Sequence, residues 1–123
     1  MLRPTGSAEA AGPELFAVEV QRRGDAAVVQ PRGELDLASV ETLRAALDGV
    51  GSAGRLVLDL RGLLFIDSTG LHLLVELHQC AQRDGIELTL LAPEAPVDRP
   101  IRLCGLDAVL PFATTVDVTS DVV

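Results

Sequence analysis

Apolar and polar residues loosely alternate from Leu15 to Val20. Arg23-Gly24-Asp25 then offers a turn, and a second β-rich run extends from Ala26 to Pro31. This pattern predicts an antiparallel hairpin. Gly33-Glu34-Leu35-Asp36 reads as a loop, and from Ala38 the spacing of Val40, Leu43, Ala46, Leu47 and Val50 follows a helical period until Gly51. Ser39 or Asp36 is the candidate cap of that helix. Arg55 to Leu60 is a short, mostly apolar strand of the kind found in the middle of a sheet. Leu63-Leu64-Phe65-Ile66 leads from it to Asp67-Ser68-Thr69-Gly70. Leu71, Leu74, Leu77, Cys80 and Ala81 mark a second helix ending at Asp84-Gly85, with Gly85 as its C′ residue. Ile86 to Leu91 is a further strand, broken by Pro93. A short helix from about Asp98 to Cys104 is closed by Gly105, and Leu110 to Phe112 forms a last short strand. Pro100 fits that helix only in its first turn.

The predicted order is β-β-α-β-α-β-α-β, an α/β domain in which each β-α-β passage makes neighbouring strands parallel. Helices packed on a mixed sheet are the simplest architecture for it. Residues 1–14 are rich in Ala, Gly, Pro and Glu without apolar periodicity, so they read as a flexible tail, and the domain occupies 15–123. Within it, Thr114 to Val123 reads as a tail or weak helix.

A length of 123 residues suits one core, and 48% hydrophobic residues suffice to bury it without disulfides or metal. The three Phe (Phe16, Phe65 and Phe112) are the whole aromatic complement, too few to build a stacking platform for bases or sugars. Eighteen acidic residues against ten basic ones, all arginine, give a formal charge of -8, which disfavours direct nucleic-acid contact and anionic membranes. A basic or neutral protein partner fits better. The chain shows no secretory signal near its start and no run approaching the length of a membrane span, so no membrane insertion and a cytoplasmic location are expected. Cys80 and Cys104 lack metal or redox spacing and read as reduced, half-buried small hydrophobes.

No phosphate-cradling glycine loop, nucleophile elbow or metalloprotease motif is present, so neither enzymatic activity nor a cofactor or metal is expected. His72 and His78 stand about 240° apart around one helix and cannot share a metal from it. The informative stretch is Asp67-Ser68-Thr69-Gly70-Leu71, where a strand hands over to a helix. A side-chain oxygen there caps the helix, and Gly70 permits a tight turn. The same place presents unpaired N–H groups and the positive end of a helix dipole, so a hydroxyl could carry a phosphate at little cost to the fold. The second helix carries Leu71, Leu73, Leu74, Val75 and Leu77 around most of its circumference, more than one buried stripe requires. Part of it, Leu73 in particular, is therefore a candidate docking surface.

Leu56-Val57-Leu58-Asp59-Leu60 followed by Phe65-Ile66-Asp67-Ser68-Thr69-Gly70-Leu71 strongly resembles the STAS domain of bacterial anti-sigma factor antagonists. Gly33-Glu34-Leu35-Asp36 and Ile101-Arg102-Leu103-Cys104-Gly105-Leu106 agree with it, and the likeness runs from about Leu15 to Phe112. The resemblance implies a STAS-like mixed sheet and a non-catalytic binding protein that sequesters an anti-sigma factor and so frees a sigma factor. In such systems the anti-sigma factor is also a serine kinase that phosphorylates the antagonist, and a phosphatase restores it. By the same resemblance the phosphorylated residue falls on Ser68, with Thr69 the adjacent alternative, and Asp36 lies at the partner-facing end of the sheet. The implied partner-binding set is Asp36, Asp67, Ser68, Thr69 and Gly70, joined by Leu73 from the helix argument. A second expectation keeps the fold but makes the chain a STAS subunit of a lipid-trafficking ABC transporter or of a larger signalling assembly. Pro100 departs from the family, which usually has a helix-compatible apolar residue there.

Overall fold

Residues 15–113 are described in a computed structural model of the chain. The expected tail at 1–14 and the segment 114–123 lie outside them. The elements are β1 (Ala17–Arg23), β2 (Ala26–Leu35), α1 (Val40–Gly49), β3 (Arg55–Asp59), β4 (Leu63–Ile66), α2 (Ser68–Asp84), β5 (Glu87–Leu91), α3 (Arg99–Leu103) and β6 (Phe112–Ala113), with a 3-10 turn at Leu106–Ala108 before the last strand.

β1 and β2 form the expected antiparallel hairpin, joined through Gly24 at φ 59°. The sheet runs β1-β2-β3-β5-β6, and β3, β5 and β6 each pair in parallel with the strand before them in that order. β4 stands off this path and pairs in parallel with the far half of β2.

That pairing corrects the reading of Gly33-Glu34-Leu35 as a loop, because these residues continue β2. Gly33 is a kink inside the strand, not its end, and the extra residue of the irregular register is Leu64 of β4. The φ of Gly33 is 105°, the register with β4 shifts between Gly33 and Glu34, and an added Cβ would lie 2.8 Å from the Leu15 carbonyl oxygen. Beyond Val29 the pairing of β2 passes from β3 to β4, so that one strand serves two parallel neighbours in succession. Ala26 to Val29 pair with β3, whereas Gly33 to Leu35 pair with β4.

The main core is aliphatic, as the scarcity of aromatics requires. Ala27 and Val29 of β2, Leu56 and Leu58 of β3 and Leu88 and Leu90 of β5 point one way and meet Leu43 and Leu47 of α1 and Leu74 of α2. A smaller cluster of Val28, Val57 and Leu91 occupies the other face. The polar feature of that second face is Asp59, only 3% exposed. Its carboxylate accepts from Gln30 Nε2 at 3.0 Å, from the Arg61 backbone N–H at 3.1 Å, and from the Arg61 guanidinium at 2.9 Å on each oxygen. Burial works against the charge, but the hydrogen bonds from Arg61 and Gln30 outweigh it and hold the Asp59 carboxyl below the ordinary carboxylate range. The clamp fixes the turn between β3 and β4, which the Leu63 N–H to Leu60 carbonyl and Gly33 N–H to Gly62 carbonyl bonds then complete.

α2 ends at Gly85 with φ 73°, and Pro100 sits in the first turn of α3, both where the sequence predicts them. Cys80 is half-buried, but Cys104 is exposed, contrary to expectation, because α3 is a short helix whose outer side includes Leu103 and Cys104.

Candidate functional site

Parallel pairing of β2 and β4 makes Leu35 and Ile66 register partners. The residues that follow them, Asp36 and Asp67, therefore leave neighbouring strand ends. The two turns are also joined directly, because the Asp67 N–H donates to the Leu35 carbonyl at 3.2 Å.

Asp67 is the N-cap of α2. Its backbone is extended (φ −108°, ψ −173°), its Oδ1 accepts from the Gly70 N–H at 3.1 Å, and its carbonyl accepts from the Leu71 N–H at 3.0 Å. The N–H groups of Ser68 and Thr69 precede any intrahelical acceptor and remain available at the positive end of a 17-residue helix. Ser68 is exposed, and Thr69 is half-buried. The cap uses the Asp67 side chain, which leaves the Ser68 hydroxyl without a hydrogen bond among the described residues.

Gly70 is buried, with a packing reason for its identity. A Cβ there would stand 2.7 Å from Ile66 Cγ1 and 2.9 Å from Leu35 Cγ. Only glycine lets the first turn of α2 lie directly on the ends of β2 and β4. Gly70 thus shapes the site from beneath and presents no side chain to a partner.

The Asp36 turn is braced by its own bonds. Asp36 Oδ1 accepts from the Ala38 N–H at 3.0 Å, while the buried Ser39 hydroxyl donates to the Glu34 carbonyl at 2.6 Å and accepts from the Asp36 N–H at 3.0 Å. Ser39 precedes α1 but makes no side-chain cap bond to it. Its hydroxyl is spent on closing the turn that carries Asp36.

Leu73 requires a correction. It is 2% exposed and belongs to the core, so it cannot meet a partner. α2 buries two adjacent apolar positions, Leu73 and Leu74, because it sits against β4 and β5 on one side and α1 on another. Leu73→Ala is expected to lower unfolding free energy by about 2–4 kcal/mol, visible as an earlier denaturant midpoint.

The apolar residues that do reach the surface here were not singled out by the periodicity. Leu37 is 76% exposed, Leu64 69% and Phe65 46%. Leu37 follows Asp36, and Phe65 is the register partner of Glu34, so all three belong to the same end of the sheet as Ser68. A signal existed in the composition. Phe65 is one of only three aromatics and sits in a four-residue apolar run of which only Leu63 and Ile66 are buried. The site is therefore an exposed serine at a helix start, with two carboxylates on adjoining turns and three exposed apolar residues at the same end of the sheet.

The two histidines lie elsewhere on α2. His72 is exposed, with Nε2 3.4 Å from Glu76, and His78 is half-buried. No helix among the described residues is long and apolar enough to cross a membrane.

A family model described as the STAS domain matches residues 17–118. The chain belongs to the STAS domain family. A curated relative, the anti-sigma-F factor antagonist RsfA of Mycobacterium tuberculosis, is 28% identical over 102 residues, covering 80% of each chain. The crystal structure of an anti-sigma factor antagonist from Mycobacterium paratuberculosis superposes with a TM-score of 0.72 at 27% identity, covering 91% of this chain and 97% of that one. The Bacillus cell fate determinant SpoIIAA, solved in its phosphorylated form, shares the fold with a TM-score of 0.65 at 22% identity, covering 87% of this chain and 100% of that one. STAS antagonists of this kind are regulatory and non-catalytic. The mixed α/β sheet with its helices is the STAS fold expected from the sequence.

Proposed function

We propose that this STAS protein is an anti-sigma factor antagonist. Its unphosphorylated form binds an anti-sigma factor that is also a serine kinase, and phosphorylation of Ser68 ends that binding until a phosphatase removes the group. The observation that carries the reading is the exposed Ser68 hydroxyl at the start of α2, without a hydrogen bond among the described residues, at the end of the sheet that bears the Asp36 and Asp67 turns and the exposed Leu37, Leu64 and Phe65. The names of RsfA and of the Mycobacterium paratuberculosis protein support the antagonist role, and the phosphorylated form of SpoIIAA supports modification of the shared fold.

The division of labour follows from the chemistry. Burial of Leu37, Leu64 and Phe65 against the partner supplies affinity through apolar area. Asp36 and Asp67 select a partner surface with a complementary charge and exclude acidic ones. Ser68, at the same end of the sheet, is where a phosphate changes both shape and field. On this reading Phe65→Ala weakens partner binding by about thirtyfold while leaving the melting temperature nearly unchanged, because Phe65 is half outside the core. Calorimetric titration with a parallel melting curve checks it.

The direct test is label transfer. The protein, the partner captured with it and radiolabelled ATP are incubated, and the labelled peptide is mapped. Label is expected on Ser68, persisting in Thr69→Ala and abolished in Ser68→Ala. Label that survives in Ser68→Ala overturns the assignment.

A further inference from the structure

The C-terminal half of α2 has a second opening, away from Ser68. Between α1 and α2 lies an open cleft of about 240 Å³. Its apolar lining includes Leu47, Leu56, Leu73, Leu77 and Ile86, of which Leu77 and Ile86 are only half-buried. Leu77 thereby finds a use for some of the apolar excess on α2 that the core does not absorb.

The rim is charged, and unequally so. Arg44 is held by Glu76 at 3.0 Å and by Glu41 at 3.4 Å, so its cation is already matched by two carboxylates. Asp48 has no ion pair among the described residues, and Asp84 has only Arg83 at 3.8 Å, with both side chains largely exposed. The cleft is therefore an apolar pocket with two poorly compensated carboxylates at its mouth, in a chain of formal charge -8.

We propose that this cleft binds a small amphiphilic cation, an apolar body of about ten non-hydrogen atoms that carries an amine or guanidine. The size follows from volume, since an aliphatic cavity of roughly 150 Å³ accommodates benzene, so the larger space here takes a ring with a short arm. The apolar body lies against Leu56, Leu77 and Ile86, and the positive group lies between Asp48 and Asp84. The charge determines the choice among ligands of one shape. A carboxylate meets the unmatched Asp48 and finds Arg44 already occupied, whereas a neutral analogue gains only the apolar contact.

The test uses phenethylamine, phenethyl alcohol and phenylpropionate, titrated separately into isotope-labelled protein while backbone amide shifts are followed. The amine is expected to shift residues around Leu47, Ala53, Leu77 and Ile86, to bind at least about fivefold tighter than the alcohol, and to leave Phe65 and Ser68 unmoved. The carboxylate is expected to give no shifts there. Asp48→Asn and Asp84→Asn, each checked by melting temperature, are expected to erase the preference of amine over alcohol. Equal binding of all three probes, a preference for the carboxylate, or absence of shifts in the cleft up to the solubility limit of the amine overturns the proposal. So does an unchanged preference in both folded variants.

Discussion

Phosphate on Ser68 is expected to weaken binding to the anti-sigma factor by about a hundredfold or more, while the melting temperature moves by only a few degrees. The two halves of this result have separate causes. Stability is spared because no element among the described residues depends on the Ser68 side chain. The helix is capped by Asp67 and the turn is anchored through the Leu35 carbonyl. The added group also stands where the N–H groups of Ser68 and Thr69 and the helix dipole favour an anion. Binding is lost because a phosphate brings about −1.5 to −2 charge and three acceptor oxygens to a surface already bearing Asp36 and Asp67. Any partner surface chosen to meet those two carboxylates and the exposed Leu37, Leu64 and Phe65 must then accommodate extra bulk and solvate extra charge. A loss of roughly 3 kcal/mol is enough for a hundredfold change. Calorimetry with enzymatically phosphorylated protein, the unmodified protein and Ser68→Ala measures it, and Ser68→Ala is expected to bind like the unmodified form. Equal affinity of the phosphorylated and unmodified forms would remove Ser68 from the switch.

Arg61→Ala is expected to cost about 3 kcal/mol of unfolding free energy at neutral pH, because it leaves a buried carboxylate without its cation. The reason lies with its partner. Asp59 is 3% exposed, and Arg61 supplies the charge that makes a buried carboxylate tolerable. Without the guanidinium, Gln30 remains as the one side-chain donor, and burial dominates.

The pH dependence has a definite sign. In the native protein the folded carboxyl titrates below its ordinary value of 3.8, so Asp59 contributes stability that is present above that value and lost as pH falls through the folded value. In Arg61→Ala the order reverses. Burial raises the folded value above the ordinary one, so acidification protonates Asp59 and relieves the cost. The stability gap between native protein and variant should therefore be widest near pH 7 and narrow towards pH 4. Urea melts at several pH values give the comparison, and a gap that is constant or widens in acid contradicts the role of Asp59. The variant also loosens the turn that sends the chain from β3 into β4, which bears Leu64 and Phe65 and runs into Ser68.

Much of this architecture was legible in the sequence where a local rule governs it. The hairpin at Gly24, the termination of α2 at Gly85 and the place of Pro100 in a first turn follow from backbone chemistry that few neighbours can override. β4 was not legible. Leu63–Ile66 is too short to declare its partner, and that partner is the part of β2 at and beyond Gly33, whereas in sequence a glycine beside polar residues reads as a loop. The position of Leu73 was equally hidden, because a helix apolar on most of its faces does not indicate which faces its neighbours cover. The motif Asp67-Ser68-Thr69-Gly70 carried the chemistry of the site, yet the exposure of Leu37, Leu64 and Phe65 depends on the tertiary end of the sheet that surrounds it. The acidity of the chain likewise gains a location from the fold, since Asp36 and Asp67 leave adjoining strands.

The identity of the partner tests the central claim most directly. Unphosphorylated protein immobilised as bait in lysate from its own cell, followed by mass spectrometry of the captured protein and of the peptide holding Ser68, is expected to yield an ATPase of histidine-kinase-like fold that is lost when the bait is phosphorylated at Ser68. Capture of a transporter ATPase instead, or of the same kinase by both forms of the bait, would contradict it.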